Sequence, residues 1–252
     1  RAVLPTLVRA GEPFRLAIKA EDKWGNPSDL VGRSVRLQGS APISGLPILV
    51  RFVPGRFATA VEGLRVADPG DLVIRVVDDE DGRELCCSNP LRVTAESGPV
   101  HFWGDTHGQS NETLGTNTPR QYFEFARDKA FLDVTGHQGN DFQITGAFWR
   151  QLNALCSEFD LPCRFVCIPG YEWSANTAVG GDRNVHYRRE GETIHRSSHA
   201  QIADAADIGD EASDAHTARE LFEKLRGKDC VVMAHVGGRY ADVKLAHDPV
   251  LE

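Results

Sequence analysis

Apolar residues in the first hundred positions fall in short runs, several with period two, whereas beyond them short apolar runs alternate with stretches of helical spacing. Phe14–Ile18 alternates, a Lys23-Trp-Gly-Asn-Pro27 turn follows, and Val35–Leu37, Ile48–Val53, Leu72–Val77 and Leu91–Val93 continue the series. Pro54-Gly55, Pro69-Gly70 and Asp78–Gly82 punctuate it, and no helical period intervenes. Short strands at such spacing predict a small immunoglobulin-like β-sandwich over residues 1–97. Glu96-Ser-Gly-Pro99 is the expected linker to a second domain, 98–252.

The second domain reads as alternating strands and helices. Val100–Trp103, Phe131–Thr135, Arg164–Ile168 and Cys230–Ala234 are the expected strands. Thr118-Pro-Arg-Gln121 opens a helix with a cap, a proline at its first position and a glutamine three after the cap. Phe148, Leu152, Leu155 and Phe159 form the apolar stripe of a second helix, and Thr217-Ala-Arg-Glu220 caps a third that carries Leu221, Phe222 and Leu225 and stops at Gly227. That alternation predicts βαβ units and a parallel sheet or barrel. The polar stretch 173–213 fits no such unit and is expected to hang over a site as a lid.

Charge and histidine both concentrate in the second domain. Residues 1–97 hold 13 basic and 13 acidic side chains, the remainder 15 and 23, and all nine histidines lie beyond position 100. An acidic, His-rich half argues against nucleic-acid binding by a broad basic surface and suits a cation site. No apolar run approaches the roughly 20 residues of a membrane span. The chain begins Arg1-Ala-Val-Leu-Pro5, without a signal-peptide pattern. Six cysteines lack CxxC spacing, and Cys156, Cys167 and Cys230 fall at core positions, which predicts reduced thiols and a cytoplasmic setting.

The polar residues at the strand ends carry the chemistry. His107, His137, Glu172 and His235 each stand at or just after a strand-like run, and in a parallel layout such positions share one edge, where imidazoles and a carboxylate can gather divalent cations. Gly237-Gly-Arg239 beyond His235, and Gly180-Gly-Asp-Arg183 in the polar stretch, offer backbone N–H groups and a guanidinium to a phosphate or carboxylate. His186, His195, His199, His216 and His247 are expected on the solvated surface, and His101 is expected to be structural within its strand. The chain lacks a G-x-S-x-G elbow, a P-loop and a G-x-G-x-x-G turn after a strand.

Four segments, Trp103-Gly-Asp-Thr-His-Gly-Gln-Ser110, Gly136-His-Gln-Gly-Asn-Asp141, Pro169-Gly-Tyr-Glu-Trp-Ser174 and Ala234-His-Val-Gly-Gly-Arg239, resemble motifs of the PHP (polymerase and histidinol phosphatase) superfamily, and within it those of the domain-of-unknown-function family 3604. The resemblance covers about residues 100–252. It implies a multidomain β plus α/β protein in which the sandwich precedes the first part of a (β/α)7 barrel, whose remaining units and ligands would lie beyond Glu252. It also implies two or three Mn, Zn or Fe ions, held by His107, Gln109, His137, Glu172 and His235. Gln109 stands where the superfamily usually has a second histidine, and Gly136 where it has an aspartate. Asp105, Arg239 and Arg183 complete the expected catalytic set. The expected activity is metal-dependent hydrolysis of a small phosphorylated substrate by a metal-bound hydroxide. The alternatives are amide or ester hydrolysis of a sugar or small molecule, and a non-catalytic binding protein on a degenerate barrel.

Overall fold

A computed structural model of the chain describes residues 1–252 apart from 30, 97, 200, 203–210 and 236–240. The chain divides into two compact units, Arg1–Phe102 with Asp128–Phe131, and Trp103–Arg127 with Leu132–Glu252.

The described residues of the first unit form ten strands: β1 (Ala2–Val3), β2 (Leu7–Arg9), β3 (Phe14–Lys19), β4 (Ser34–Gly39), β5 (Leu49–Arg51), β6 (Ala58–Leu64), β7 (Gly70–Leu72), β8 (Ile74–Asp78), β9 (Glu84–Cys87) and β10 (Leu91–Thr94). They form three sheets, ordered β1-β3-β6, β2-β10-β7 and β5-β4-β8-β9. The expected two-sheet immunoglobulin-like sandwich is therefore corrected. The run Leu72–Val77 is not one strand, because the Ser40 hydroxyl accepts the Val73 N–H at 2.9 Å, and β7 and β8 pair in different sheets on either side of that residue. Leu16, Leu64, Ile74 and Leu91 are fully enclosed in its core. Each such side chain contributes about 2 kcal/mol of burial.

In the second unit β11 (Gly104–Gly108), β12 (Val134–His137) and β13 (Val166–Cys167) form a parallel sheet. A second sheet, β14 (Gly170–Trp173), β15 (Arg183–Tyr187) and β16 (Cys230–Ala234), is antiparallel throughout. A parallel bridge between Asn140 and Glu172 links the chain leaving β12 to β14, so β11, β12, β14 and β16 run in one sense and β15 returns against them. The (β/α)7 barrel is thereby overturned: the described strands lie in small sheets, and no closed barrel forms among them. The physical reason is the connection from β14 to β15, residues 174–182, which is shorter than the dozen or more residues a parallel crossover needs.

Three α-helices among the described residues pack on these sheets. In α1 (Pro119–Glu124) Thr118 caps the Gln121 N–H and Gln121 reaches back to Thr118, as its sequence predicts. Thr145 caps α2 (Gly146–Phe159), whose Phe148, Leu152, Leu155 and Phe159 are buried against Tyr171, Trp173 and Val185 in one core. Thr217 caps α3 (Ala218–Leu225), although Glu220 accepts from the N–H of His216 rather than from that of the cap itself. The expected strand Val100–Trp103 is displaced to β11, which leaves His101 exposed and outside any strand. The expected lid is corrected too, since 183–187 is the central, fully buried strand of the antiparallel sheet.

Gly170 sets the distance between β14 and its neighbours. A Cβ there would collide with the Gln138 amide nitrogen and the Val185 carbonyl oxygen. Gly170→Ala is expected to destabilise the second unit by about 2 kcal/mol, whereas Gly98→Ala, with open space around it, should change stability by less than about 0.5 kcal/mol. Urea denaturation of both variants checks this, and equal midpoints would contradict it.

Candidate metal centre

Three of the expected residues meet. The donor atoms of His107, Glu172 and His235 lie within 4.8 Å of one another. His107 Nε2 is 3.6 Å from one Glu172 carboxylate oxygen, and His235 Nδ1 is 3.5 Å from the other. The two imidazoles stack at 4.6 Å between centroids. Bonds of 2.0–2.2 Å in tetrahedral geometry separate donor atoms by about 3.4 Å, close to the 3.6 and 3.5 Å between each imidazole and the carboxylate oxygen it faces.

Each side chain is aimed by its strand. Asp105 pairs with Thr135 and Gly108 with His137, so β11 carries one residue more than β12 across this interval, a bulge. The Asp105 carboxylate accepts the His107 N–H at 2.9 Å within it. In β14, Tyr171 and Trp173 face the core, which sends Glu172 to the opposite face. His235 follows β16 directly, its N–H donating to the Asp182 carbonyl at 3.0 Å. Its Nδ1 is buried without a hydrogen-bond partner, with the Asp182 carboxylate 4.0 Å away. Burial raises the Glu172 carboxyl above its ordinary pKa; His235 and His107 act against that shift, and Asp182 adds to it.

Other expected residues lie elsewhere. His137 is fully buried: its Nδ1 accepts the Gly139 N–H at 3.2 Å, which leaves Nε2 to donate to the Ser110 hydroxyl at 2.9 Å, and Tyr122 and Phe148 pack edge-on to its ring. Gln109 turns its amide oxygen back to the Thr113 hydroxyl at 2.8 Å and the Leu114 N–H at 3.2 Å. Arg183 is fully enclosed in the protein, donating to Glu252 at 2.6 Å, to the Gly181 and Ala246 carbonyls at 3.1 and 2.9 Å, and to the Gly180 carbonyl. Gly237-Gly-Arg239 lies outside the described residues.

Sequence reasoning missed Asp182. Its signal lies in Gly180-Gly-Asp-Arg183, where the sequence alone points to the guanidinium, although adjacent residues of extended chain point to opposite sides. Nor are His186 and His195 surface residues, as both are buried. Burial, with His107 nearby, pushes His186 down to about 4.

No protein-family model matches the chain. It is similar to an uncharacterized protein of Chlamydia pneumoniae, 22% identical over 200 residues, covering 78% of this chain and 32% of that protein. Uncharacterized proteins of Chlamydia muridarum and Chlamydia trachomatis are 21% and 20% identical over 73% and 75% of this chain, and 30% and 31% of their own lengths. The chain thus spans about a third of the length of the curated relatives it matches.

Two predictions separate structural from site residues. Replacing Arg183 by Met leaves Glu252 and a ring of carbonyls without their buried donor, and is expected to cost about 3 kcal/mol or more in urea denaturation; an unchanged midpoint would refute the structural role. Burial pushes His137 down to about 4. The unfolded chain therefore binds a proton there below about 6.5 that the folded chain refuses, and about 3 kcal/mol of stability present above that pH is lost as pH falls toward about 4. Asp141, which burial pushes up to about 7, works in the opposite direction, so the measurement is the difference in pH dependence between wild type and His137→Gln. Parallel curves would contradict a buried neutral imidazole.

Proposed function

We propose that the protein is a metal-dependent hydrolase, with His107, Glu172 and His235 holding a divalent cation and a phosphoester as substrate. The observation that carries this reading is the convergence of three donor atoms within 4.8 Å, one of them a buried His235 nitrogen with no other partner. Two imidazoles and a carboxylate make a donor set suited to Zn, Mn or Fe and leave further positions open. A cation held there would supply Lewis acidity for activating water and would neutralise charge developing on phosphorus. The motifs that resemble those of PHP metallohydrolases imply these three among five ligands, the other two, Gln109 and His137, being engaged elsewhere.

The chain's own groups have separable tasks. Glu172, whose burial favours its neutral form, is available as an anionic ligand only once it has lost its proton, so cation and proton compete for it. Asp182 holds its carboxylate 4.0 Å from His235 Nδ1 and adds a second negative charge beside Glu172. Asp105 shapes the bulge that presents His107. His137 serves the core behind the site. No described helix is long and apolar enough to cross a membrane. A cytoplasmic setting, in keeping with six free cysteines, two of them buried, belongs to the proposal.

Calorimetric titration with Mn²⁺ and Zn²⁺ tests the site. His107→Ala and His235→Ala are expected to weaken binding by more than about 100-fold, beyond the usual loss from an outer partner, while His137→Gln retains it. Unchanged affinity in the alanine variants would sink the assignment. Metal-dependent turnover of phosphoesters but not of acyl substrates is the expected activity, and the reverse preference would replace phosphoester by amide or ester hydrolysis.

A further inference from the structure

Two carboxamide oxygens flank Glu172 with nothing to accept from. Asn140 is bridged to Glu172 on one side, and Asn184 is its antiparallel partner on the other. Paired residues project to the same face of a sheet, so both amides stand beside the carboxylate. They are 6% and 8% exposed, and the Oδ1 of each has no hydrogen-bond partner. Asn140 spends its Nδ2 on the Ser174 hydroxyl at 2.9 Å, which leaves Oδ1 as its open end.

His186 adds the opposite polarity on the same face. It lies two residues beyond Asn184 on β15, about 7 Å along the strand. The Gln138 amide, oriented by the Val185 carbonyl at 3.3 Å, presents its Nε2 to His186 Nδ1, also at 3.3 Å. His186 Nδ1 is therefore the acceptor, and the proton of the neutral ring sits on Nε2, buried and without a partner. His186 also lines a cavity of about 490 Å³ with Thr106, Val231 and Met233.

Leaving such groups buried and unpaired is costly, so a row of them beside a proposed reaction centre indicates a ligand that completes them. Its chemistry follows from the polarities. A carboxylate or phosphate oxygen can satisfy only the His186 donor, and an ammonium only the two amide oxygens. Hydroxyl groups do both, each donating its one O–H to an amide oxygen while accepting from a donor such as His186, so two of them serve the two amides. We propose that Asn140, Asn184 and His186 form a hydroxyl-recognising subsite beside the metal centre, so that the substrate is the phosphoester of a polyol or sugar. The phosphoester half of this statement rests on the hydrolase reading; the hydroxyl half rests on the amides and imidazole alone.

Glycerol 1-phosphate and propyl phosphate, alike except for two hydroxyl groups, are the probes. Binding is measured calorimetrically on the full chain, with and without Mn²⁺. Wild type is expected to bind glycerol 1-phosphate about tenfold more tightly, the worth of one well-formed hydrogen bond that the analogue cannot make. Asn184→Leu, similar in volume but lacking the acceptor, is expected to bring the two ligands to within about twofold while leaving Mn²⁺ affinity as in wild type. Equal binding by wild type, no binding of either probe in either condition, or a preference that survives Asn184→Leu would overturn the proposal. Should Asn184→Leu fail to fold, the wild-type comparison decides by itself. Failure of the metal reading shows separately, as Mn²⁺ affinity that His107→Ala does not change.

Discussion

A strand covered on both faces must satisfy every polar group it carries, and β15 places Arg183, Asn184 and His186 within five residues. The second unit is arranged around that constraint. On one side Arg183 finds the carboxylate of Glu252 and three backbone carbonyls, while Val185 and Tyr187 join the apolar core. On the other side Asn184 and His186 share a surface with Glu172, where satisfaction is incomplete. Full pairing on one face and incomplete pairing on the opposite one is the arrangement expected where structure is kept and a ligand is to be received.

Local signals in the sequence were legible where the physics is local. The cap at Thr118, the α2 stripe and the apolar run Cys230–Ala234 each appear where their residues require. Nothing comparable announces β15. Arg183-Asn-Val-His-Tyr187 has a single aliphatic residue, and a polar run buried on both faces shows no alternation to read. Without that one strand a mixed arrangement reads as an unbroken series of parallel units, the reading that the PHP resemblance extends to a (β/α)7 barrel. In the first unit the split at Val73 was equally hidden, because its cause is a hydroxyl more than thirty positions away.

The site was legible by a different route. His107, Glu172 and His235 are far apart in sequence, yet three strands of common direction bring them together. His137 has the same residue type and the same strand-end position, but its ring points into the aromatic packing of Tyr122 and Phe148. Position along a strand does not report which face a side chain takes when a bulge intervenes on the neighbouring strand. Asp182 and Arg183 show the converse. They were visible as a pair, and only the direction of the chain distinguishes the carboxylate that faces the centre from the guanidinium that faces the core.

The bulge in β11 means that the site depends on strand length as well as on residue identity. Between Asp105 and Gly108 the parity of the chain, odd or even, selects the side chain that leaves the ladder. Shortening this interval by one residue would restore a regular pairing and preserve every hydrogen-bonded neighbour outside it, yet turn an imidazole away from Glu172. In this segment, lineages that keep all the recognisable letters of the motif but differ in spacing would have the same spelling and a different centre.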